Sequence, residues 1–146
     1  IDLVIAGPDG GAEGDIMDLI EKLDIDHRVH LVGPIYGEMK IRAMVDANCF
    51  CLPSRQEGFS MAITEALACG TPVVITDQCH FPEVGSANAG LIVSLEPAEV
   101  AKALAVILNN AMQAKSMGSN GRRLILENYT WPAIADATLR GYRLSA

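Results

Sequence analysis

Two carboxylates, Glu57 and Glu65, stand eight positions apart in the stretch EGFSMAITEALACGTPVV, Glu57 to Val74. Paired carboxylates act as acid and base in glycoside hydrolysis when they face each other at about 5 to 9.5 Å. On a continuous helix these two would lie about 80° apart around the axis and roughly 12 Å apart along it, too far for that work. Carboxylates also accept hydrogen bonds from hydroxyl groups. Glu57 at a loop tip and Glu65 about two turns down a helix therefore suit the two ends of one extended ligand, with a sugar at one end and a ribose at the other. Between them Gly58 is expected in a tight turn, and the N–H groups of Gly58, Phe59 and Ser60 lie at the helix start. Unpaired donors and the positive end of the helix dipole stabilise a diphosphate there. The competing reading, a loop charge and an exposed helix charge, fits poorly with Ile63, Ala66, Leu67 and Ala68 around Glu65.

Other residues capable of chemistry are less organised. His27, His30 and His80 are scattered without metal-ligand spacing, and no metal is expected. Cys49, Cys51, Cys69 and Cys79 show neither zinc spacing nor the density of a disulfide scaffold, and read as free, mostly buried thiols of a reducing cytoplasm. The glycine-rich loop GPDGGAEG lacks the spacing of a dinucleotide fingerprint, and it has neither the Lys nor the Ser/Thr of a P-loop.

The elements that must position the two glutamates follow a βα rhythm. Ile1 to Ala6 reads as a buried parallel strand emptying into Gly7 to Gly11. Asp15 to Leu23 carries Ile16, Leu19, Ile20 and Leu23 at helical spacing, so an amphipathic helix is expected to pack back on that strand. A strand over Arg28 to Val32 precedes a helix over Glu38 to Ala47, whose inner stripe is Ile41, Met44 and Val45. Asn48 to Leu52 is a third strand, stopped by Pro53. The helix carrying Glu65 runs from about Ser60 to Cys69 and ends at Gly70, and strands over Pro72 to Thr76 and Gly90 to Ser94 follow. Three helices close the chain, at about Pro97 to Leu108, Ala111 to Glu127 and Pro132 to Leu144, with Tyr129, Trp131 and Tyr142 expected to pack the last helices on the sheet. The alternation predicts an α/β fold with a doubly wound parallel sheet and a helical C-terminal tail. In such sheets ligands bind beyond the carboxyl ends of the strands, here Gly7 to Gly11, Gly33 to Gly37, Pro53 to Ser60 and Thr76 to Glu83.

With 146 residues the chain is expected to be one domain, residues 1–146. Its net charge of -7 argues against nucleic acid or an anionic membrane as a general partner. No apolar run approaches the roughly 20 residues of a transmembrane helix. Residue 1 is Ile and opens directly on a strand-like run without signal character, so a piece of a longer, cytoplasmic chain is expected.

PSRQEGFSMAITEALACGTPVV, Pro53 to Val74, resembles the signature of the GT-B glycosyltransferases of family 4, whose donor site is marked by two glutamates with seven residues between them. The likeness runs upstream through VHLVGPIYGEMK and ANCFCLPS and downstream through PEV and the helical tail. It implies the Rossmann-like, donor-binding C-terminal half of a retaining glycosyltransferase, which moves a sugar from a nucleotide diphosphate sugar, UDP- or GDP-linked, to a carbohydrate or lipid-linked acceptor. By that resemblance Glu57 is the catalytic-site residue that orients the donor sugar, the backbone of Gly58, Phe59, Ser60 and Met61 holds sugar and phosphate, Glu65 binds the ribose, and the backbone at Pro34 and Ile35 faces the base. It further implies no cofactor and no metal, and an N-terminal acceptor domain and a first βα unit, bearing an Arg and a Lys for the diphosphate, that lie outside this sequence. Any peripheral membrane contact is left to that half, and the fragment alone is expected to be inactive. Ser60 stands where many relatives have Gly, and QCHF replaces a common glycine pair before Pro82 and Glu83. The rivals are a sugar-nucleotide epimerase of the same architecture, for which no catalytic acids and histidines can be placed, and a receiver-like nucleotide-binding module, whose acidic cluster Asp9 alone does not supply.

Overall fold

A computed structural model describes residues 1–144 and divides the chain into two compact units, Ile1–Lys40 and the residues from Ile41 onward. The first unit holds β1 (Leu3–Ala6), α1 (Glu13–Leu23), a 3-10 turn at Asp26–Arg28 and β2 (Val29–Gly33). The two strands are parallel, with Leu3 opposite Val29 and an irregularity between Ile5 and Ala6 before Ala6 meets Gly33. Parallel pairing requires a crossover, and α1 supplies it. Asp24, in the left-handed region at φ 54°, ends that helix. The expected burial of β1 and of the α1 stripe is not what forms. Leu3, Val4, Leu19 and Leu23 are all more than half exposed, and of the stripe Ile20 is buried and Ile16 half-buried. Two strands and one crossover helix are too few elements to cover both faces of a sheet.

The second unit is built on a three-stranded parallel sheet, β3 (Phe50–Leu52), β4 (Val73–Thr76) and β5 (Gly90–Val93), with β4 in the centre. Phe50 pairs with Val73 and Val73 with Gly90. Every residue of β4 is buried, as a central parallel strand with helices on both faces should be. Strand alternation sends Val73 and Ile75 into one core cluster, with Ile63, Leu67, Phe81, Val84 and Ile125, and Val74 into another, with Ala103, Ile107 and Met117. Around the sheet run α2 (Gly37–Asp46, which begins in the first unit), α3 (Met61–Ala68), α4 (Glu83–Ser86), α5 (Pro97–Leu108), α6 (Ala111–Asn128) and α7 (Trp131–Leu144). Thus the α/β class, the parallel pairing and the helical tail match what the sequence leads one to expect.

Two further expectations need correction. On α2 the buried residue is Met44 alone, while Ile41 and Val45 stay exposed. Trp131 and Tyr142 do not pack on the sheet, for they are 85% and 73% exposed on α7. A helical stripe marks which residues share a face but not how much of that face another element covers, and of the α2 stripe Met44 is the residue that reaches the core cluster. Close backbone approach fixes α6 instead. A Cβ on Gly118 would lie 1.9 Å from the carbonyl oxygen of Gly70, whose own φ of +83° makes the turn after α3.

Candidate functional site

The loops leaving the carboxyl ends of β3 and β4, which are neighbouring strands, are stitched to each other. The Thr76 hydroxyl donates to the Ser54 carbonyl at 2.6 Å, the Cys79 thiol donates to the Leu52 carbonyl at 3.7 Å, and the Glu57 N–H donates to the Gln78 carbonyl at 3.1 Å. Ser54 in turn donates its hydroxyl to the Gln56 carbonyl at 3.1 Å. Glu57 is therefore a half-buried loop residue held by its backbone against the 3-10 turn Asp77–Cys79. The turn that presents it is anchored in the core, since Cys79 and Thr76 are buried.

Next along the chain, Gly58 is exposed, and a Cβ built on it meets nothing within 4 Å. Its backbone is open to approach from solvent. Ser60 takes the N-cap position of α3 with extended φ and ψ, but its buried side chain makes no capping bond. The Thr64 hydroxyl turns back to the Met61 carbonyl at 2.8 Å. The N–H groups of the first turn have no acceptor within the helix, and the cap side chain supplies none. Such a helix end carries positive partial charge and suits an anion.

α3 begins at Met61, so Glu57 lies outside the helix, and the spacing of a continuous helix applies only from Met61 onward. Glu65 is four residues into α3, about 6 Å along the axis from Met61. It is half-buried on a helix whose Ile63, Thr64, Ala66 and Leu67 are buried. The second unit thus carries Glu57, Gly58, Phe59, Ser60, Met61 and Glu65 on one loop-to-helix segment. Ile35 is half-buried in the loop between β2 and α2 of the first unit, beside the exposed Pro34.

A contact with no local sequence signal completes this region. Tyr129, the C-cap residue of α6, meets both Phe59 of the loop before α3 and Phe81 of the segment after β4. Burial, and then the nearby Glu83 carboxylate, push the Tyr129 hydroxyl pKa up. Residue types alone could have suggested an aromatic cluster, but nothing in the spacing brings these three together.

The remaining candidates have structural employment. Asp9 accepts from the Gly11 N–H at 2.7 Å and the Glu13 N–H at 3.2 Å, which holds its carboxyl below the usual range and fastens the first glycine-rich loop onto α1. His27 sits 3.8 Å from Asp26, and His30 sits 3.7 Å from Asp2. The four cysteines are free, Cys79 buried and the others half-buried. Burial, with Cys51 nearby, pushes the Cys49 thiol up to about 12. Among the described residues no group of three or more His, Cys, Asp or Glu could hold a metal ion, and no helix is long and apolar enough to cross a membrane.

Comparison with known proteins adds to this geometry. A family model described as "Glycosyl transferases group 1" matches residues 1–124. The MMP alpha-(1->4)-mannosyltransferase of Mycolicibacterium hassiacum is 32% identical over 132 residues, covering 88% of this chain and 32% of that protein. A D-inositol 3-phosphate glycosyltransferase of Kineococcus radiotolerans is 27% identical over 97% of this chain and 35% of its own length. Among solved structures, sucrose-phosphate synthase from Thermosynechococcus elongatus superposes with a TM-score of 0.84 at 31% identity, over 98% of this chain and 38% of that one. The chain spans about a third of the length of the curated relatives it matches.

Proposed function

From the premise that this chain belongs to the group 1 glycosyl transferases, we propose that it is the donor-binding part of a retaining, family 4 GT-B enzyme. The enzyme takes its sugar from a nucleotide diphosphate sugar and passes it to a carbohydrate or lipid-linked acceptor. The observation that carries this proposal is the uncapped start of α3, set between a carboxylate held in the preceding loop and another in the helix itself. The N–H groups at Gly58, Phe59, Ser60 and Met61 receive the diphosphate and the near edge of the sugar. Glu57 orients the sugar by accepting from its hydroxyls, and Glu65 accepts from the ribose hydroxyls.

In the transfer step the bond from the anomeric carbon to the phosphate oxygen breaks, a bond to the acceptor oxygen forms on the same face, and the acceptor's hydroxyl proton passes to the departing phosphate oxygen. The helix start stabilises charge as it develops on the departing diphosphate, an electrostatic role that asks for no protein nucleophile and no bound metal. The acceptor domain, together with an Arg and a Lys for the diphosphate, belongs to the rest of the full-length protein, which works in the cytoplasm. This chain by itself is then inactive. The relatives include a mannosyltransferase, an inositol phosphate glycosyltransferase and a sucrose-phosphate synthase, which supports a common transfer chemistry with varied acceptors.

Calorimetric titration of the full-length protein with UDP, GDP and ADP tests the assignment. One nucleotide should bind, and Glu65→Ala should weaken it at least tenfold. No binding by any of the three, or an unchanged affinity in Glu65→Ala, removes the ribose role.

A further inference from the structure

Three aromatic rings from distant parts of the chain meet beside the donor loop. The Phe59 and Tyr129 rings stack with centroids 5.7 Å apart and planes inclined at 26°. Tyr129 meets Phe81 edge to face at 5.3 Å and 73°, and Phe59 lies 5.7 Å from Phe81 at 47°. All three separations fall in the range where aromatic pairs attract beyond simple burial. The rings are unequal in their anchoring. Phe81 is buried in the core cluster and Tyr129 packs against that cluster, whereas Phe59 is 54% exposed.

Phe59 is therefore the held partner, and it sits between Gly58 and Ser60. Along the loop, the Glu57 N–H is tied to the Gln78 carbonyl, and the next attachment is the ring of Phe59. What the ring fixes is the backbone just ahead of α3, where the open Gly58 and the uncapped helix start lie. A tyrosine phenol is neutral at ordinary pH, and burial, then the nearby Glu83, pushes the Tyr129 hydroxyl further up, so the ring brings no charge of its own to the loop.

We propose that Tyr129 is a positioning residue for donor binding: by gripping Phe59 against Phe81 it sets the backbone of Gly58 to Met61, and it couples the end of α6 to donor affinity. The inference rests on the donor-loop assignment made above. Tyr129 touches no substrate in this scheme and acts through Phe59.

The test uses the full-length protein with Tyr129→Ala, Tyr129→Phe and Phe59→Ala, and two readouts. The first is amide exchange of residues 58–61 without ligand. The second is affinity for whichever of UDP, GDP and ADP the parent binds. Both alanine variants should speed exchange in the loop and weaken nucleotide binding roughly tenfold, the scale of one or two lost ring pairs. Tyr129→Phe should restore both, because the ring and not the hydroxyl does the gripping. Alanine variants that keep parental exchange and bind within about twofold of the parent overturn the proposal, and so does a Tyr129→Phe variant as weak as Tyr129→Ala. Should Tyr129→Ala fail to fold, Phe59→Ala carries the test, since its half-exposed ring lies outside the buried core cluster. A parent that binds none of the three nucleotides refutes the donor assignment instead, and the clamp is then decided by exchange alone: faster in the alanine variants and restored by Tyr129→Phe supports it, unchanged overturns it.

Discussion

Replacing Gly118 by Ala sets two effects of opposite sign against each other. Gly118 lies inside the long helix α6, where Ala is ordinarily favoured over Gly by about 1 kcal/mol. The added Cβ, however, would stand 1.9 Å from the Gly70 carbonyl oxygen and 2.9 Å from its carbon. These are backbone atoms in a turn closed by the Gly70 N–H to Leu67 carbonyl bond at 2.9 Å, so no side chain can swing aside. Overpacking of this kind costs about 1 to 3 kcal/mol and at times more, which exceeds the propensity gain. A 1.9 Å approach to a backbone oxygen belongs in the upper part of that range, about 2 to 3 kcal/mol, so the net expectation is a loss of about 1 to 2 kcal/mol, or roughly 2 to 8 °C in Tm for a chain of this size. Because Gly70 follows Cys69, the C-cap residue of α3, the displacement should also reach the helix that carries Glu65. Gly141→Ala is the control, since a Cβ there meets nothing within 4 Å, and that variant should be neutral or gain up to about 1 kcal/mol. Thermal and urea denaturation of the two variants beside the parent decide the matter. A Gly118→Ala chain as stable as the parent, or more so, would refute the close approach of α6 to the turn after α3.

Two further outcomes follow from the loops around the site. Thr76→Val preserves shape but removes the buried hydroxyl that bonds the Ser54 carbonyl, so it should cost about 1 to 3 kcal/mol in thermal denaturation and speed amide exchange in residues 54–57. An unchanged melt and exchange would mean that the bond does not hold the loop. Cys49 should resist iodoacetamide at pH 8.5 in the folded chain and react once unfolded, because burial holds its thiol up to about 12 from an ordinary value of 9.0. As an acid whose folded pKa is raised, it contributes stability in full below about pH 9, and that contribution is lost as pH rises toward about 12. Denaturation midpoints across that window check the sign, and stability rising with pH there would contradict it.

Much of this architecture can be read from particular residues. The continuous apolar run VVIT announces β4 as a fully buried central strand, and Pro97 at the first helical position marks the start of α5. Ser60 and Gly70 bracket α3 within a residue of its observed ends. What stays hidden is whatever depends on the far side of an interface. Leu19 and Leu23 have the spacing of an inner stripe, as do Ile41 and Val45, yet periodicity cannot say whether another element lies opposite. Trp131 and Tyr142 mislead for the same reason, since large aromatic residues suggest packing and here stand in solvent. Gly118 reads as a weak point in a helix until the Gly70 carbonyl is seen against it. The site divides likewise. Glu57 and Glu65 are legible because their types and spacing lie on one continuous segment, whereas the meeting of Phe59, Phe81 and Tyr129 joins parts of the chain that only the fold brings together.

The central claim, that the segment from Glu57 to Glu65 holds a nucleotide sugar from end to end, is tested most directly by a crystal structure of the full-length protein with its nucleotide diphosphate. The account predicts diphosphate oxygens about 3 Å from N–H groups between Gly58 and Met61, and ribose hydroxyls at hydrogen-bond distance from the Glu65 carboxylate. A nucleotide bound elsewhere, or one whose ribose leaves Glu65 untouched while its phosphates bypass the start of α3, would contradict it.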